Sequence, residues 1–495
     1  VAAPLRIVRQ TATVGVGKNE GDIMVHRSDS PLMVAEVASA IDAVAAYLAE
    51  PDKPALAALR NRLATPLRVA LVGRVNAGKS TLLNALVGQR VAPTNETECT
   101  QVATWYRFGA PARVEVFGLD QVVTTIPVRH RLPDDLGRPA AEIDYVIAHI
   151  PSALLREYEL VDTPGLGTMN STSSTATRRA LIDTTAGRGI ERPDGTLFLC
   201  DGAPRADEIA FLNEMGATRI DTLALLSHAD TFGEGAFGST DPLEVAAKHA
   251  DRLKPQLARM AGTVLPVSGL LAETALTGHL TEADARALAQ LAPLEDFELA
   301  GVLSGQDETE VERADVDRLL DLVGDYGVLH GRQLATGGAI ALAGWLAERS
   351  GLKAVHDQIT RRFLRRSEAL KARQIITHLR KLAVSSPHRD QINSILENTR
   401  MHPGLHPLRE LSALELMLDW DPTHPLVAEL DHLGVAAGPA EALRLPRDAD
   451  AATVTNAAQQ ACVRCKRERI TAFSAAEAEA WTVLERSYQL LFSPR

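Results

Sequence analysis

The run from Arg68 to Val87 restricts the possible folds more than any other stretch. Arg68-Val-Ala-Leu-Val72 suits a strand, Gly73-Arg-Val-Asn-Ala-Gly78-Lys79-Ser80-Thr81 a glycine-bounded loop, and the residues after it a helix. A strand-loop-helix turn of this kind points consecutive backbone N–H groups and a helix N-terminus at one spot, which suits concentrated negative charge. The chain has only nine lysines in 495 residues, so chance is a poor explanation for one between Gly78 and Ser80. The spacing is that of a phosphate-binding loop. Gly73, Asn76, Ala77 and Gly78 would line the cup, Lys79 would reach the outer phosphates, and Ser80, followed by Thr81, would hold magnesium through its hydroxyl.

The surroundings fit such a loop. From residue 68 to about 300, apolar runs alternate with helical stretches: QVATWYRF, ARVEVFGL, IDYVIAHI, YELVDT, TLFLCD, DTLALLS and GTVLPVS. Strands separated in this way predict an α/β fold with a mostly parallel sheet and helices on both faces, whose ligands bind at the carboxyl ends of the strands. Two helices precede the loop, the first opened by Ser30-Pro31. After residue 310 the pattern is helical almost throughout. Leu352 to Ser386 contains neither Gly nor Pro, enough for one helix of about 50 Å. The expected division is a tail over 1–29, bundle helices over 30–66, a nucleotide domain over 67–305 and a helical bundle over 306–495.

A phosphate loop does not choose its nucleotide, so downstream elements must. Leu160-Val161-Asp162-Thr163-Pro164-Gly165 ends a strand on a carboxylate placed to support magnesium, followed by a glycine whose N–H can meet a γ-phosphate. This is the DxxG arrangement of GTPases. The hydroxyl-rich stretch after it, TMNSTSSTATRR, suits a switch that orders on a γ-phosphate, with a solvated loop as the alternative. Upstream, Thr100 stands at a strand start 21 residues beyond Lys79 and is the candidate for the switch threonine at the metal and attacking water; Thr97 and Thr94 are rivals. In Ser227-His228-Ala229-Asp230, the carboxylate of Asp230 can accept from guanine N1–H and the 2-amino group, which adenine lacks. The usual element carries lysine where His228 stands, which puts affinity in question. Val267-Ser268-Gly269 follows the last strand, where a backbone N–H would meet guanine O6.

Composition excludes several classes. A net charge of −11 disfavours a broad electrostatic grip on nucleic acid or anionic lipid, though not a local basic face. Four cysteines, Cys99, Cys200, Cys462 and Cys465, make no disulfide framework and fit a reducing cytoplasm. The first residues lack a signal-peptide core, and no apolar stretch reaches the roughly 20 residues of a spanning helix.

Four nucleotide elements in this order, with a loop of the form G-x-x-N-A-G-K-S-T, resemble the GTPase domain of the dynamin superfamily, above all of bacterial dynamin-like proteins. The stretch AGWLAERSGLKAVHDQITRRFLRRSEALKA and the chain length are similar to the shorter type of isoniazid-inducible dynamin-like protein of mycobacteria. The resemblance implies a GTPase domain on a helical bundle drawn from both chain ends, and Mg²⁺-dependent conversion of GTP to GDP by paired GTPase domains. The pairing would involve a homodimer or a second dynamin-like protein, peripheral at the inner face of the cell membrane, with anionic lipid as a further partner and no nucleic acid. It also implies catalysis without a glutamine after DxxG, where Leu166 stands. Lys79, Thr100, Asn76 and Gly165 then carry the reaction. Ser80, Thr100 and Asp162 serve the metal; Arg74 is a cationic finger or a solvated loop residue. A GTP-binding scaffold with little turnover and a GTPase acting on RNA or ribosomes are the alternatives.

The helical part leaves choices open. Leu352–Ser386 holds nine Lys or Arg against two acids, which suits a bundle helix with a charged outer face or a surface for anionic lipid. Gln333–Ala347 is a packed helix or one dipping into a bilayer interface. Cys462-Val-Arg-Cys465 lacks a second pair of ligands. His402 and His406, in a proline-broken loop, are a weak metal pair.

Overall fold

The computed structural model describes residues 30–50, 53–93, 102–129, 131–166 and 193–492. The expected tail, Cys99, the candidate switch threonine Thr100 with its rivals Thr94 and Thr97, and the hydroxyl-rich stretch lie outside them.

Strand β1 (Leu67–Gly73) is buried over all seven residues because it lies mid-sheet between two parallel neighbours, β6 (Tyr158–Asp162) and β7 (Gly195–Cys200). The pairing continues in parallel from β7 to β8 (Thr222–Leu226) and from there to β9 (Val264–Pro266). On the other side come β2 (Thr104–Phe108), β5 (Ile143–Ile150), β3 (Arg113–Gly118) and β4 (Val123–Pro127). The order is β4-β3-β5-β2-β6-β1-β7-β8-β9; β2 is antiparallel to β6, and β3 to both β4 and β5. The expected parallel sheet is therefore mixed at one wing, with β4 a ninth strand absent from the sequence pattern.

Period-two alternation in β1 separates the two apolar layers. Val69 and Leu71 join a core that includes Leu82 and Leu83 of the helix after the phosphate loop and extends into the bundle, whereas Ala70 and Val72 face Phe211, Leu212, Ala246 and Ala250. Helices thus cover both faces, as the α/β pattern requires.

The two amino-terminal helices, α1 (Ser30–Ala45) and α2 (Lys53–Ala64), pack on the later helix Ser367–Ser385, and α1 also on Arg389–Met401. Lys371 Nζ donates to the Leu63 and Thr65 carbonyls at 3.2 and 3.3 Å, and Ser386 Oγ to Tyr47 O at 3.0 Å. A bundle drawn from both ends of the chain results. The helices Arg313–Gly331 and Ala339–Arg349 instead share a third core with Leu271, Leu288 and Leu299, beside the sheet. In that core Trp345 stacks on Tyr326, and Leu342 and Leu346 are fully buried, so Gln333–Ala347 ends in a packed helix.

The single helix expected over Leu352–Ser386 is interrupted. An α-helix over Leu352–Gln358 passes through a π turn, Ile359–Phe363, and a 3-10 turn, Leu364–Arg366, before Ser367–Ser385. Phe363 is buried here against Gly195, where a Cβ would come within 2.8 Å of its ring. Tertiary packing against the start of β7 overrides a helix that local preference allows.

Cys462 and Cys465 lie in the bundle core, and burial raises both thiol pKa values, Cys465 to about 12. His402 Nδ1 accepts from Gly404 N, whereas His406 Nε2 meets Ser487 Oγ at 2.8 Å in the interior, so the two histidines serve separate contacts.

Candidate functional site

The phosphate loop sits at the carboxyl end of β1 and turns into the helix α3 (Lys79–Val87). Asn76 and Gly78 both have positive φ, 62° and 82°, which curls the loop; asparagine and glycine are the residues that tolerate this region best. Lys79 is buried and donates to Gly73 O at 3.0 Å and Arg74 O at 2.7 Å, so its ammonium lies across the loop rather than out in solvent. Ala77 is buried beneath the loop, and Thr81, on the first turn of α3, lies 3.5 Å from where a Cβ on Gly269 would stand.

β6 delivers Asp162 beside α3. Ser80 Oγ donates to Asp162 Oδ2 at 3.0 Å, while the buried Oδ1 has no partner among the described residues. Burial lowers the pKa of Lys79 against the pull of Asp162, and it raises that of Asp162 against Lys79, the Ser80 hydroxyl and the Thr163 amide. Both shifts reflect charges short of solvation, and an incoming polyphosphate and its cation would supply what each lacks. A hydroxyl and a carboxylate with a spare oxygen, side by side under a phosphate loop, fit a hard divalent cation such as Mg²⁺.

The DxxG strand end is tied to the loop by its backbone. Thr163 Oγ1 donates to Leu71 O at 2.7 Å, and Leu166 N to Gly73 O at 3.0 Å. Gly165 has no room for a side chain, since a Cβ there would stand 2.6 Å from the Val75 nitrogen. Arg74 reaches Asp207 at 4.0 Å, which makes it a partly engaged loop residue.

β8 brings the base-side residues to the same end of the sheet. His228 takes a left-handed conformation, φ 55°, and its Nε2 lies 3.0 Å from Asn76 O. Because a carbonyl can only accept, Nε2 must carry the proton. The imidazole thereby ties this segment to the phosphate loop. Asp230 is buried, and its carboxylate has no hydrogen-bond or ion-pair partner among the described residues, as a group that accepts from a ligand requires. After β9 the expectation is divided. The Ser268 amide is given to Ser350 O at 2.9 Å and its hydroxyl accepts from Leu271 N, so Ser268 has no N–H left for a base. Gly269, the first residue of the helix Gly269–Leu276, packs against the start of α3 and is the candidate that stays.

Asn84 escaped the sequence analysis. Fully buried in α3, it accepts from the amides of Val91 and Ala92 and donates to Ala92 O and Glu273 Oε1. It locks the chain leading toward the threonine loop onto the base-side helix. The available clue was an amide among leucines at apolar positions of the helix.

Comparison with known proteins agrees with this geometry. The family described as 50S ribosome-binding GTPase matches residues 68–227. The isoniazid-induced protein IniC of Mycobacterium tuberculosis is 32% identical over 375 residues, 72% of this chain and 75% of that protein. The chain belongs to the IniC-like family of bacterial dynamin-like proteins. A bacterial dynamin-like protein of Nostoc punctiforme is 29% identical over 114 residues, 20% of this chain and 16% of that one. Two solved chains of an oligomerised bacterial dynamin pair, described as sensing and tethering membranes over long range, show 12% and 14% identity with TM-scores of 0.34 and 0.31. They are covered over 51% and 74% of their length, so this chain spans about half of the first. The IniC-like chain thus carries a GTPase domain in which the loop, the Asp162–Gly165 segment and Asp230 meet at one end of the sheet.

Proposed function

We propose that this protein binds GTP with Mg²⁺ and hydrolyses it to GDP and phosphate, and that the nucleotide state controls its pairing with a second copy or a second dynamin-like protein. The observation that carries this is the meeting of the Ser80–Asp162 pair, Lys79 and Asp230, which has no partner among the described residues, at the carboxyl ends of β1, β6 and β8. Lys79 would leave its loop carbonyls for the β and γ phosphates. Ser80 and Asp162 would hold Mg²⁺, with Thr100 joining them, and the bound ion would neutralise phosphate charge. Gly165 N–H would meet the γ-phosphate, and Asn76, its carbonyl fixed by His228, would face the bridging oxygen. Asp230 would read guanine, with Gly269 in place of Ser268 at O6.

We propose the segments 1–29 and 30–66 as the sequence reads them, and place the boundary between nucleotide domain and bundle at Gly351 rather than at 305, because the helices of 313–349 pack beside the sheet. We place the protein in the cytoplasm, peripheral at the inner face of the cell membrane. Ile470 and Phe473, 85% and 95% exposed at the turn between the last two helices, support contact with a membrane or partner; among the described residues no helix is long and apolar enough to span a bilayer. Although the matching family's description names the 50S ribosome, a net charge of −11 supports no broad grip on RNA.

Turnover of GTP by the wild type and by Lys79→Ala tests the enzymatic claim. Loss of nearly all turnover in the variant is expected; equal rates would sink the claim, and tight GTP binding without turnover in the wild type would leave a scaffold. Comparing GTP with inosine triphosphate, which lacks the 2-amino group, tests Asp230, since Asp230→Ala should erase any preference between them.

A further inference from the structure

The interruption of the Leu352–Ser385 helical run does more than kink it. Its π and 3-10 turns place Arg361, Arg362, Arg365 and Arg366 within six residues at the seam between sheet and bundle. A fifth arginine, Arg219, arrives from the segment before β8, where Arg362 Nη1 donates to its carbonyl at 3.0 Å. Only two carboxylates answer them among the described residues. Asp431 accepts from Arg366 at 2.9 Å and Arg361 at 3.5 Å, and Glu441 from Arg365 at 3.1 Å. Arg362 is left with neutral partners, the Arg219 carbonyl and Gln358 Oε1.

Donors are in excess as well as charge. Arg366 is 3% exposed, yet among the described residues its Nε and Nη1 have no acceptor, and neither has the buried Nε of Arg219. Burial lowers the pKa of Arg219 and Arg362, the latter crowded further by Arg366, Arg361 and Arg219. Arg361 and Arg365 are partly exposed, whereas the Arg366 side chain is buried. Buried N–H groups without acceptors are uncommon in folded proteins, and guanidinium forks match tetrahedral oxyanions well.

We propose that this arginine cluster is a binding site for a phosphate group, which would bridge the nucleotide-binding part of the molecule to the helical bundle at their seam. Three uncompensated guanidinium charges favour a doubly charged phosphate over a single carboxylate. The group has two possible sources, a soluble phosphorylated molecule or a phosphomonoester lipid headgroup. The site lies apart from the phosphate loop and does not depend on GTP turnover.

The test uses the full chain saturated with Mg²⁺ and GDP. One arm titrates inorganic phosphate by calorimetry; the other measures co-sedimentation with phosphatidylcholine vesicles with and without phosphatidic acid. Arg219→Gln and Arg361→Gln alter partly exposed side chains, and an unchanged GDP affinity would show that each variant folds. Each is expected to weaken binding by about tenfold or more. Loss of phosphate binding in the variants identifies a soluble ligand; loss of binding confined to phosphatidic acid vesicles identifies a headgroup. If neither probe binds the wild type, or if both variants bind as well as it does, the proposal is overturned.

Discussion

His228 is the residue where chemistry and expectation part most usefully. It stands where related elements carry lysine, and its ring bonds the Asn76 carbonyl at the outer curve of the phosphate loop. Both residues adopt left-handed conformations, so the contact joins two backbone positions that cost energy to hold. His228→Ala should remove one hydrogen bond worth about 1 kcal/mol and weaken GTP binding by about fivefold. His228→Lys should restore most of it, since an ammonium can reach the same carbonyl. Equilibrium titration with a fluorescent GTP analogue would show this; an alanine variant that binds as tightly as wild type would mean that the imidazole is a bystander. The motif residues themselves were legible from sequence because loop chemistry depends on local spacing. The Ser268 amide was not, because its acceptor, Ser350 O, comes from a distant segment.

At the level of elements, the strands that are buried on both faces read clearly, and β4 did not. Its residues Val123–Pro127 are mostly exposed at the sheet edge, so neither a continuous apolar run nor strict alternation marks it. Arg313–Gly331 hides a similar surprise, since Gly324, at φ 63° and ψ 178°, breaks its helical course beside Leu270 and Asp230. Thr281 and Asp284 form a capping box on Glu282–Gln290, and Asp284 also receives Arg318 at 2.6 Å, which ties that helix to Arg313–Gly331. Burial alone would raise the Asp284 pKa, but Arg318 and Thr281 hold it below the ordinary carboxylate value. A carboxylate with a depressed folded-state pKa stabilises the fold above its unfolded value of roughly 3.9 and loses that contribution as pH falls through the folded value. Asp284→Ala should therefore cost about 1–2 kcal/mol in urea unfolding at neutral pH, and much less near pH 3. A cost that does not change with pH would show that packing, rather than the charge, is what the aspartate contributes.

Across the whole molecule, the nucleotide end of the sheet and the bundle are tied to opposite ends of the same strand. The phosphate loop leaves the carboxyl end of β1, about 20 Å from its start at seven residues of strand rise. At that start, Arg62 of α2 pairs with Asp194, which also accepts from Arg68 N at 2.8 Å, and both ionic side chains are almost completely buried. Removing Asp194 leaves the Arg62 guanidinium buried without its counter-charge, a cost of about 3–5 kcal/mol. Asp194→Ala should lower stability by that amount. The double replacement Arg62→Met with Asp194→Leu should recover much of it, because two well-packed apolar groups need no counter-charge. Since neither residue touches the phosphate loop, GTP affinity should stay near wild type in whichever variant folds. Urea unfolding followed by nucleotide titration checks both halves. If the double variant is no more stable than Asp194→Ala, the anchorage of α2 rests on its apolar contacts with Ser367–Ser385 and not on the ion pair. If GTP affinity falls in the double variant, strain at the start of β1 reaches the loop at its far end, and the strand itself couples the bundle to the nucleotide.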